Sequence, residues 1–153
     1  MAERPARGVV HAALVSTAID VAALIARVQH GGIGAVSLFL GTVRDVNEDR
    51  PVTALEYDAY GGMAESELRA VAEEACTFAP DLVIAVEHRI GLLAIGESSV
   101  AIACAHPHRA QAMEATRFVI DSLKQRVPVW KREHYTDGER VWIDPTRVSG
   151  AQA

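Results

Sequence analysis

The spacing of apolar residues along the chain changes several times between the strand and the helix pattern. Strands are predicted where apolar residues alternate or run together, and helices where they recur every three or four positions. The predicted strands are Gly8 to Val15, Ile33 to Thr42, Thr53 to Tyr60, Asp81 to Ile90, Ser98 to Ala105 and Val127 to Lys131. The predicted helices lie between Thr17 and His30, from Met63 to Phe78 and from Arg109 to Lys124. The pattern therefore predicts a mixed α and β fold with helices packed on a sheet.

Polar and glycine-containing segments predict where these elements begin and end. Thr17-Ala18-Ile19-Asp20 fits a capping box that opens the first helix, and Gly31-Gly32 ends that helix. The polar stretch from Val43 to Val52 predicts a long loop, so the strands on either side of it are expected to pair as a hairpin. Gly91 to Glu97 predicts a turn region.

The end of the chain has a different pattern. After Asp144 the periodicity is lost, and the last residues are small or polar. We expect residues 145–153 to fray and the rest to form a single domain with its core at about residues 8–144.

Composition narrows the class of protein. The 153 residues are 50% hydrophobic and 23% charged, with a net charge of −5, which is ordinary for one globular domain that needs no disulfides. No apolar run approaches the roughly 20 residues that span a bilayer, and no signal peptide is expected. Cys76 and Cys104 lie in apolar patterns and are expected to be buried thiols in a reducing compartment. We expect a cytoplasmic protein that binds neither membranes nor nucleic acid in general.

One segment, from His106 to Glu133, reverses the acidic balance of the chain. It contains six basic residues against three acidic ones. The basic residues are Arg109, Arg117, Lys124, Arg126, Lys131 and Arg132. Such a local inversion predicts an anionic ligand. Because Pro128 stops the helix and a strand follows, Lys124 and Lys131 are expected to fold back towards each other.

His106, His108 and Arg109 stand where a strand meets a helix N-terminus. An arginine there makes sense if a phosphate or carboxylate is held between it and the helix, although a solvated arginine beside a proline turn is equally compatible. The His-x-His spacing also fits a metal site, but no cysteine or acidic partner lies nearby in sequence. We therefore expect no metal and no other cofactor.

Lys124, Lys131 and Arg44 are the remaining candidates for chemistry. A lysine near a helix C-terminus has a simple structural explanation, since it offsets the helix dipole. Lys131 shares one side of its predicted strand with Val127 and Val129 and could enter a partly buried space, where it would lose its proton more readily. Alternatively Trp130 marks the core side and Lys131 is exposed. Arg44 follows an apolar strand, where either a ligand group or a surface arginine fits.

Several separated motifs, taken in order, resemble one known family. They are Gly41-Thr42-Val43-Arg44, Leu55-Glu56-Tyr57 to Met63, His88-Arg89-Ile90-Gly91, His108-Arg109, and Leu123-Lys124 through Pro128-Val129-Trp130-Lys131-Arg132-Glu133. The resemblance runs from about Gly34 to about Asp144 and is to the MoaE family, the large catalytic subunits of molybdopterin synthase.

The resemblance implies an α/β hammerhead-type fold and a homodimer within a heterotetramer. The other subunit would be a small ubiquitin-like protein with a C-terminal Gly-Gly thiocarboxylate. The implied activity is the transfer of two sulfurs to cyclic pyranopterin monophosphate, or precursor Z, which makes the dithiolene of molybdopterin. This chain has no terminal Gly-Gly, so the resemblance makes it the receiving enzyme.

The resemblance also implies roles for the candidate residues. Lys124 and Lys131 match the family's catalytic lysines, with Lys131 favoured for acid/base work and Lys124 for positioning the thiocarboxylate, although the roles are exchangeable. Arg44, His108 and Arg109 match residues that hold the pterin phosphate.

Two other functions compete with this one. The first is a non-catalytic α/β module that binds an anionic metabolite and regulates a partner. The second is a homologue that docks the small subunit without activity, which the presence of both lysines argues against. Ala112-Met113 stands where the family commonly has an aromatic residue, which leaves the wall of the expected pocket open.

Overall fold

The structure is a computed structural model that describes residues 6–143. The strands are β1 (Gly8–Val15), β2 (Ala35–Thr42), β3 (Val46–Asn47), β4 (Arg50–Ala59), β5 (Val83–Arg89), β6 (Gly91–Ala94), β7 (Ser98–His106), β8 (Val129–Tyr135) and β9 (Arg140–Ile143). The helices are α1 (Val21–Val28), α2 (Gly61–Ala75) and α3 (Arg109–Arg126). The predicted mixture of α and β structure is confirmed. The tail that was expected to fray lies outside the described residues.

The first sheet has the strand order β1-β5-β7-β2 and is covered on both faces. β1 runs parallel to β5, while the other pairs are antiparallel. Successive residues of a strand point to opposite faces. Ile84 and Ile102 therefore pack with residues of α2 and α3, while Val83 and Ala103 pack with residues of α1. This double burial explains why β5 and β7 are almost continuously apolar in sequence.

The second sheet is antiparallel and centres on β4. β8 pairs with one edge of β4 and β9 follows β8, while β3 and β6 both pair with β4. Val52, Leu55 and Leu93 form the middle of a small core between this sheet and the segment around Val43. The second sheet therefore lies beside the first and leaves a space between them.

Three local predictions were wrong. β2 and β4 do not form a hairpin, because β2 pairs with β7 in the first sheet and the chain leaves that sheet at Val43, whose N–H donates to the Glu97 carbonyl at 3.0 Å. The expected turn region contains β6, which finds a partner in β4. The first helix begins at Val21, because the Asp20 carboxylate accepts from the Ala23 N–H at 3.0 Å and caps the helix there.

The turn between α3 and β8 brings the end of a helix back onto a strand. The Val127 N–H donates to the Leu123 carbonyl at 3.0 Å, Pro128 prevents further helix, and β8 begins at Val129. Lys124 and Lys131 consequently lie on either side of this reversal. No helix among residues 6–143 is long and apolar enough to cross a membrane.

Candidate active site

A pocket of about 340 Å³ lies between the two sheets and the C-terminal end of α3. Its walls come from β2, β4, β7 and β8, together with the segment around β3. The volume is within the range of small-molecule sites. The charged residues that line it are Arg44, Lys124, Lys131 and Glu133. The pocket therefore combines residues that are far apart in sequence, and its charges are mainly positive.

Lys124 enters the pocket from the last turn of α3. Burial lowers the pKa of this lysine, and the positive charges of Lys131 and Arg44 lower it further. The direction of this shift is opposite to the one that a helix C-terminus alone would give to a cation. An amine in this setting accepts and gives up protons more readily than a surface lysine does.

Lys131 faces the pocket, which decides between the two orientations that the strand pattern left open. It shares its face of β8 with Val129 and Glu133, which also line the pocket. Trp130 lies on the opposite face, where its ring packs edge-on against Tyr60 at 4.5 Å between centroids. Burial lowers the pKa of Lys131 and Arg44 lowers it further, while the Glu133 carboxylate raises it.

Glu133 is the acidic group of the pocket, and the sequence reasoning did not select it. Its side chain is 3% exposed, and its Oε1 atom lies 3.9 Å from Nζ of Lys131. Its Oε2 atom accepts hydrogen bonds from the Asn47 amide at 2.8 Å and from the Tyr135 hydroxyl. A buried carboxylate needs such partners. The alternation of β8 places residues 131 and 133 on one face, and this was the signal that could have found it.

Arg44 follows β2 and belongs to the lining of the pocket, although its side chain is largely exposed. Its charge lowers the pKa of both lysines. This position at the exposed side of the pocket fits the ligand-binding alternative for Arg44 better than that of an isolated surface residue. Three cations thus face one carboxylate, an imbalance that favours an anionic ligand.

His108 and Arg109 do not reach this pocket in the same chain. Both are exposed at the N-terminal end of α3, and His108 is the N-cap residue. Fifteen residues of helix separate Arg109 from Lys124, a rise of about 22 Å. The sequence had indicated this separation, and the structure brings Arg44, Lys124 and Lys131 together without these two residues.

His106 has a structural role at the strand end. Its Nδ1 atom accepts from the His108 N–H at 2.9 Å, and its Nε2 atom donates to the Pro80 carbonyl at 3.0 Å. Both nitrogens are thereby engaged by the backbone, so the His-x-His pair does not offer two free ligands. Among residues 6–143, no group of three or more His, Cys, Asp or Glu side chains is arranged to hold a metal ion.

The other basic residues of the 106–133 segment do not form one patch with the lysines. Arg126 is bound by Glu67 at 2.9 Å and by Glu74 at 2.5 Å. Arg132 is bound by Glu56 at 2.7 Å, on the face of β8 away from the pocket. The segment's charge excess is therefore divided between ion pairs and the pocket.

The lysine content of the chain is a further signal for this site. Thirteen of its fifteen basic residues are arginines, and Lys124 and Lys131 are the two lysines of the whole sequence. Both line the same pocket. Since arginine stays charged at all ordinary pH values, the pocket contains the lysine amines that can exchange a proton.

Comparison with known proteins identifies the family. Residues 14–126 match the family model described as MoaE protein. The chain belongs to the MoaE family. It is 43% identical over 140 residues to the molybdopterin synthase catalytic subunit of Oryza sativa subsp. indica, covering 88% of this chain and 72% of that protein. It is 39% identical over 131 residues to the catalytic subunit from Halalkalibacterium halodurans, covering 86% and 83%.

Solved structures of the MoaE family share the fold. The X-ray structure of molybdopterin synthase from Staphylococcus aureus has a TM-score of 0.83 and 32% identity, covering 86% of this chain and 96% of that chain. A complex of subunits 1 and 2 of the molybdopterin-converting factor from Helicobacter pylori has a TM-score of 0.71 at 24% identity, covering 92% and 98%, and supports the fold alone. The expected family and fold class are confirmed.

The two lysines give a direct test of the pocket's electrostatics. With lysine labelled by 13C at the ε-carbon, NMR titration should yield two pKa values, both below 10.5. Glu133→Gln should lower the pKa of Lys131 further, because the carboxylate raises it in the wild type. Lys131→Met should raise the pKa of Lys124, because one repelling charge is removed.

Asp81→Asn provides the matched control. Asp81 is paired with Arg7 on the surface and has a positive φ of 71°, which asparagine tolerates. Its loss of one negative charge should leave both lysine pKa values unchanged. Two lysines that titrate at the ordinary value would contradict the desolvated pocket.

Proposed function

We propose that this chain is the sulfur-accepting catalytic subunit of a molybdopterin synthase and transfers two sulfurs to precursor Z. The main support is the meeting of the chain's two lysines with Arg44 in one partly enclosed pocket. The catalytic subunits that it resembles from rice and Halalkalibacterium add the reaction class. A non-catalytic anion-binding module would use the same charges but has no need for lysines with lowered pKa values.

Lys131 is proposed as the general acid and base. Sulfur transfer requires a proton for the departing oxygen and stabilisation of the oxyanion that forms. The carboxylate of Glu133 lies 3.9 Å from the Lys131 amine, where it stabilises the ammonium form and can orient the amine. Its lowered pKa permits proton exchange near neutral pH more readily than the pKa of a free lysine does.

Lys124 is proposed to position the thiocarboxylate of the small subunit. The amine lies at the end of α3, whose residues Ile120 and Leu123 also line the pocket. The helix end fixes the position of the charge, and partial burial strengthens its attraction for an anion. The assignment gives Lys124 an anion-binding role and leaves proton transfer to Lys131.

Arg44 is proposed to bind the substrate phosphate together with His108 and Arg109 from a second copy of the chain. The helix length prevents Arg109 from serving its own pocket. β2 is an edge strand among the described residues, and it runs from the neighbourhood of His106 to the pocket wall at Gly41. Two copies aligned antiparallel along β2 would bring each α3 N-terminus to the other copy's Arg44.

The surface of β2 supports such a homodimer. Leu38 and Leu40 are each 37% exposed, and Met113 on the adjacent α3 is 62% exposed. An unpaired strand edge beside apolar side chains favours association with another chain. The dimer would supply the phosphate-binding residues that one copy lacks.

The proposed second partner is a small ubiquitin-like subunit whose thiocarboxylated Gly-Gly tail enters the pocket, making a heterotetramer of two copies of each chain. The Helicobacter pylori structure is described as a complex of two subunits of molybdopterin-converting factor. A thiocarboxylate donor and two free thiols, the partly buried Cys76 and the buried Cys104, suit the reducing cytoplasm. No metal or other cofactor is proposed for this subunit.

Substitution of Lys131 tests the catalytic assignment. Purified chain, thiocarboxylated small subunit and precursor Z should yield molybdopterin, and Lys131→Ala should lower kcat by roughly 10²- to 10⁴-fold, the usual size of a general acid/base effect. Lys131→Arg should lose as much activity as Lys131→Ala, because arginine keeps the charge and cannot give up its proton. Precursor Z affinity should stay within about threefold, since Arg44 and Lys124 remain.

Arg117→Ala is the control for this experiment, because Arg117 is exposed and has only a 3.8 Å ion pair with Asp121. Full activity is expected from it. Unchanged turnover in Lys131→Ala would rule out the acid/base role, and absence of product from the wild type with tight precursor Z binding would favour the anion-binding module.

Subunit complementation tests the shared pocket. Arg109→Ala and Lys131→Ala should each be inactive, but in mixed dimers one pocket has an intact lysine and receives an intact arginine. Co-expression of differently tagged variants should therefore restore about a quarter of the wild-type pockets, as random assembly of a two-fold dimer gives. Mixed dimers without activity would mean that Arg109 acts within its own chain, and full activity of the Arg109→Ala variant alone would mean that Arg109 has no role.

A further inference from the structure

His88 lines the pocket and has no assigned role in the proposed reaction. It lies near the end of β5, is 5% exposed, and packs edge-on against the Tyr57 ring at 5.2 Å between centroids. Tyr57 reaches it from β4, and the charge of Lys124 acts on it from α3. The imidazole is therefore held at the junction of the two sheets and the catalytic helix.

The hydrogen bonds of His88 fix which nitrogen carries the proton. Its Nδ1 atom lies 2.9 Å from the Arg89 carbonyl oxygen, which can only accept, so Nδ1 is the donor. Nε2 then carries a free lone pair. Within the described residues, the fully enclosed side-chain atoms without a partner are Nε of Arg89 and Nε of Arg132. Nε2 of His88 is not one of these atoms, and His88 lines the pocket.

The imidazole stays neutral at physiological pH. Burial lowers the pKa of His88 to about 4, and the nearby positive charge of Lys124 contributes in the same direction. A neutral histidine cannot serve as another phosphate-binding cation. In a pocket with three cations, Nε2 instead offers an uncharged acceptor.

We propose that Nε2 of His88 is a specificity-determining acceptor, which takes a hydrogen bond from an N–H or O–H group on the uncharged part of the substrate. The inference deepens the proposed function and rests on it for the substrate, a phosphate-bearing heterocycle. Arg44 and Lys124 hold anionic groups, while His88 recognises the part of the ligand that has no charge. An analogue without the donor would leave a buried lone pair unpaired and bind less tightly.

Calorimetry with two probes separates this role from a structural one. In His88→Phe, which keeps a ring against Tyr57, the Kd for precursor Z should rise roughly threefold to tenfold, the loss of one hydrogen bond. The Kd for inorganic phosphate should not change. His88→Gln, which keeps an uncharged acceptor, should recover most of the precursor Z affinity. His88→Leu is a second acceptor-free variant with the same expected loss.

His11→Gln is the matched control, because His11 is a partly buried histidine paired with Glu87 at 2.9 Å on the α1 face of the same sheet. Neither Kd should change in it. An unchanged precursor Z Kd in His88→Phe and His88→Leu, or an equal weakening of phosphate binding, would overturn the inference. Because binding is measured without turnover, a wild type that binds precursor Z but forms no molybdopterin would count against the proposed function alone.

Discussion

The meeting of two lysines and Arg44 in one partly buried pocket is the constraint on which the rest of the site depends. Burial and mutual repulsion both lower the pKa of Lys124, and burial lowers that of Lys131. Such an arrangement costs free energy, which the surrounding structure must offset. The reversal at Pro128 supplies one part of that support, and the two sheets supply the other. An anion that enters the pocket relieves the repulsion.

Glu133 prevents this cluster from being wholly positive. Its buried carboxylate is fixed by Asn47 and Tyr135, so one oxygen is left to face Lys131. Asn47 belongs to β3, in the segment that separates β2 from β4. The hydrogen bond between Asn47 and Glu133 therefore connects β3, which forms part of the pocket wall, to β8, which carries Lys131. The Glu133 side chain thus offsets part of the positive charge of the pocket and also contacts the segment between β2 and β4.

Much of the fold was readable from local patterns, whereas the pocket was not. β1 has the predicted bounds. α3 begins at the predicted Arg109 and ends at Arg126, just after the predicted end at Lys124. These elements have clear periodicity and clear stop signals. Strand pairing depends on distant partners, so the hairpin of β2 with β4 was mispredicted although each strand was found.

The candidate site shows the same division between local and distant information. Alternation along β8 left Lys131 with two possible orientations, because burial is decided by neighbours from β4 and α3. The resemblance to the MoaE family selected both lysines and Arg44, which the structure places in one pocket. Glu133 and His88 were in the quoted motifs but had no predicted role, since their hydrogen-bond partners are the product of folding.

The central claim, that an anion neutralises a pair of partly desolvated lysines, is tested most directly by proton uptake on binding. Inorganic phosphate should be titrated into the protein at about pH 9, below the ordinary lysine pKa, in buffers of different ionisation enthalpy. Because a bound anion raises lysine pKa values that the free pocket keeps low, binding should take up protons, and Lys124→Met with Lys131→Met should abolish the uptake. Binding without proton uptake, or uptake that persists in the double variant, would contradict the account.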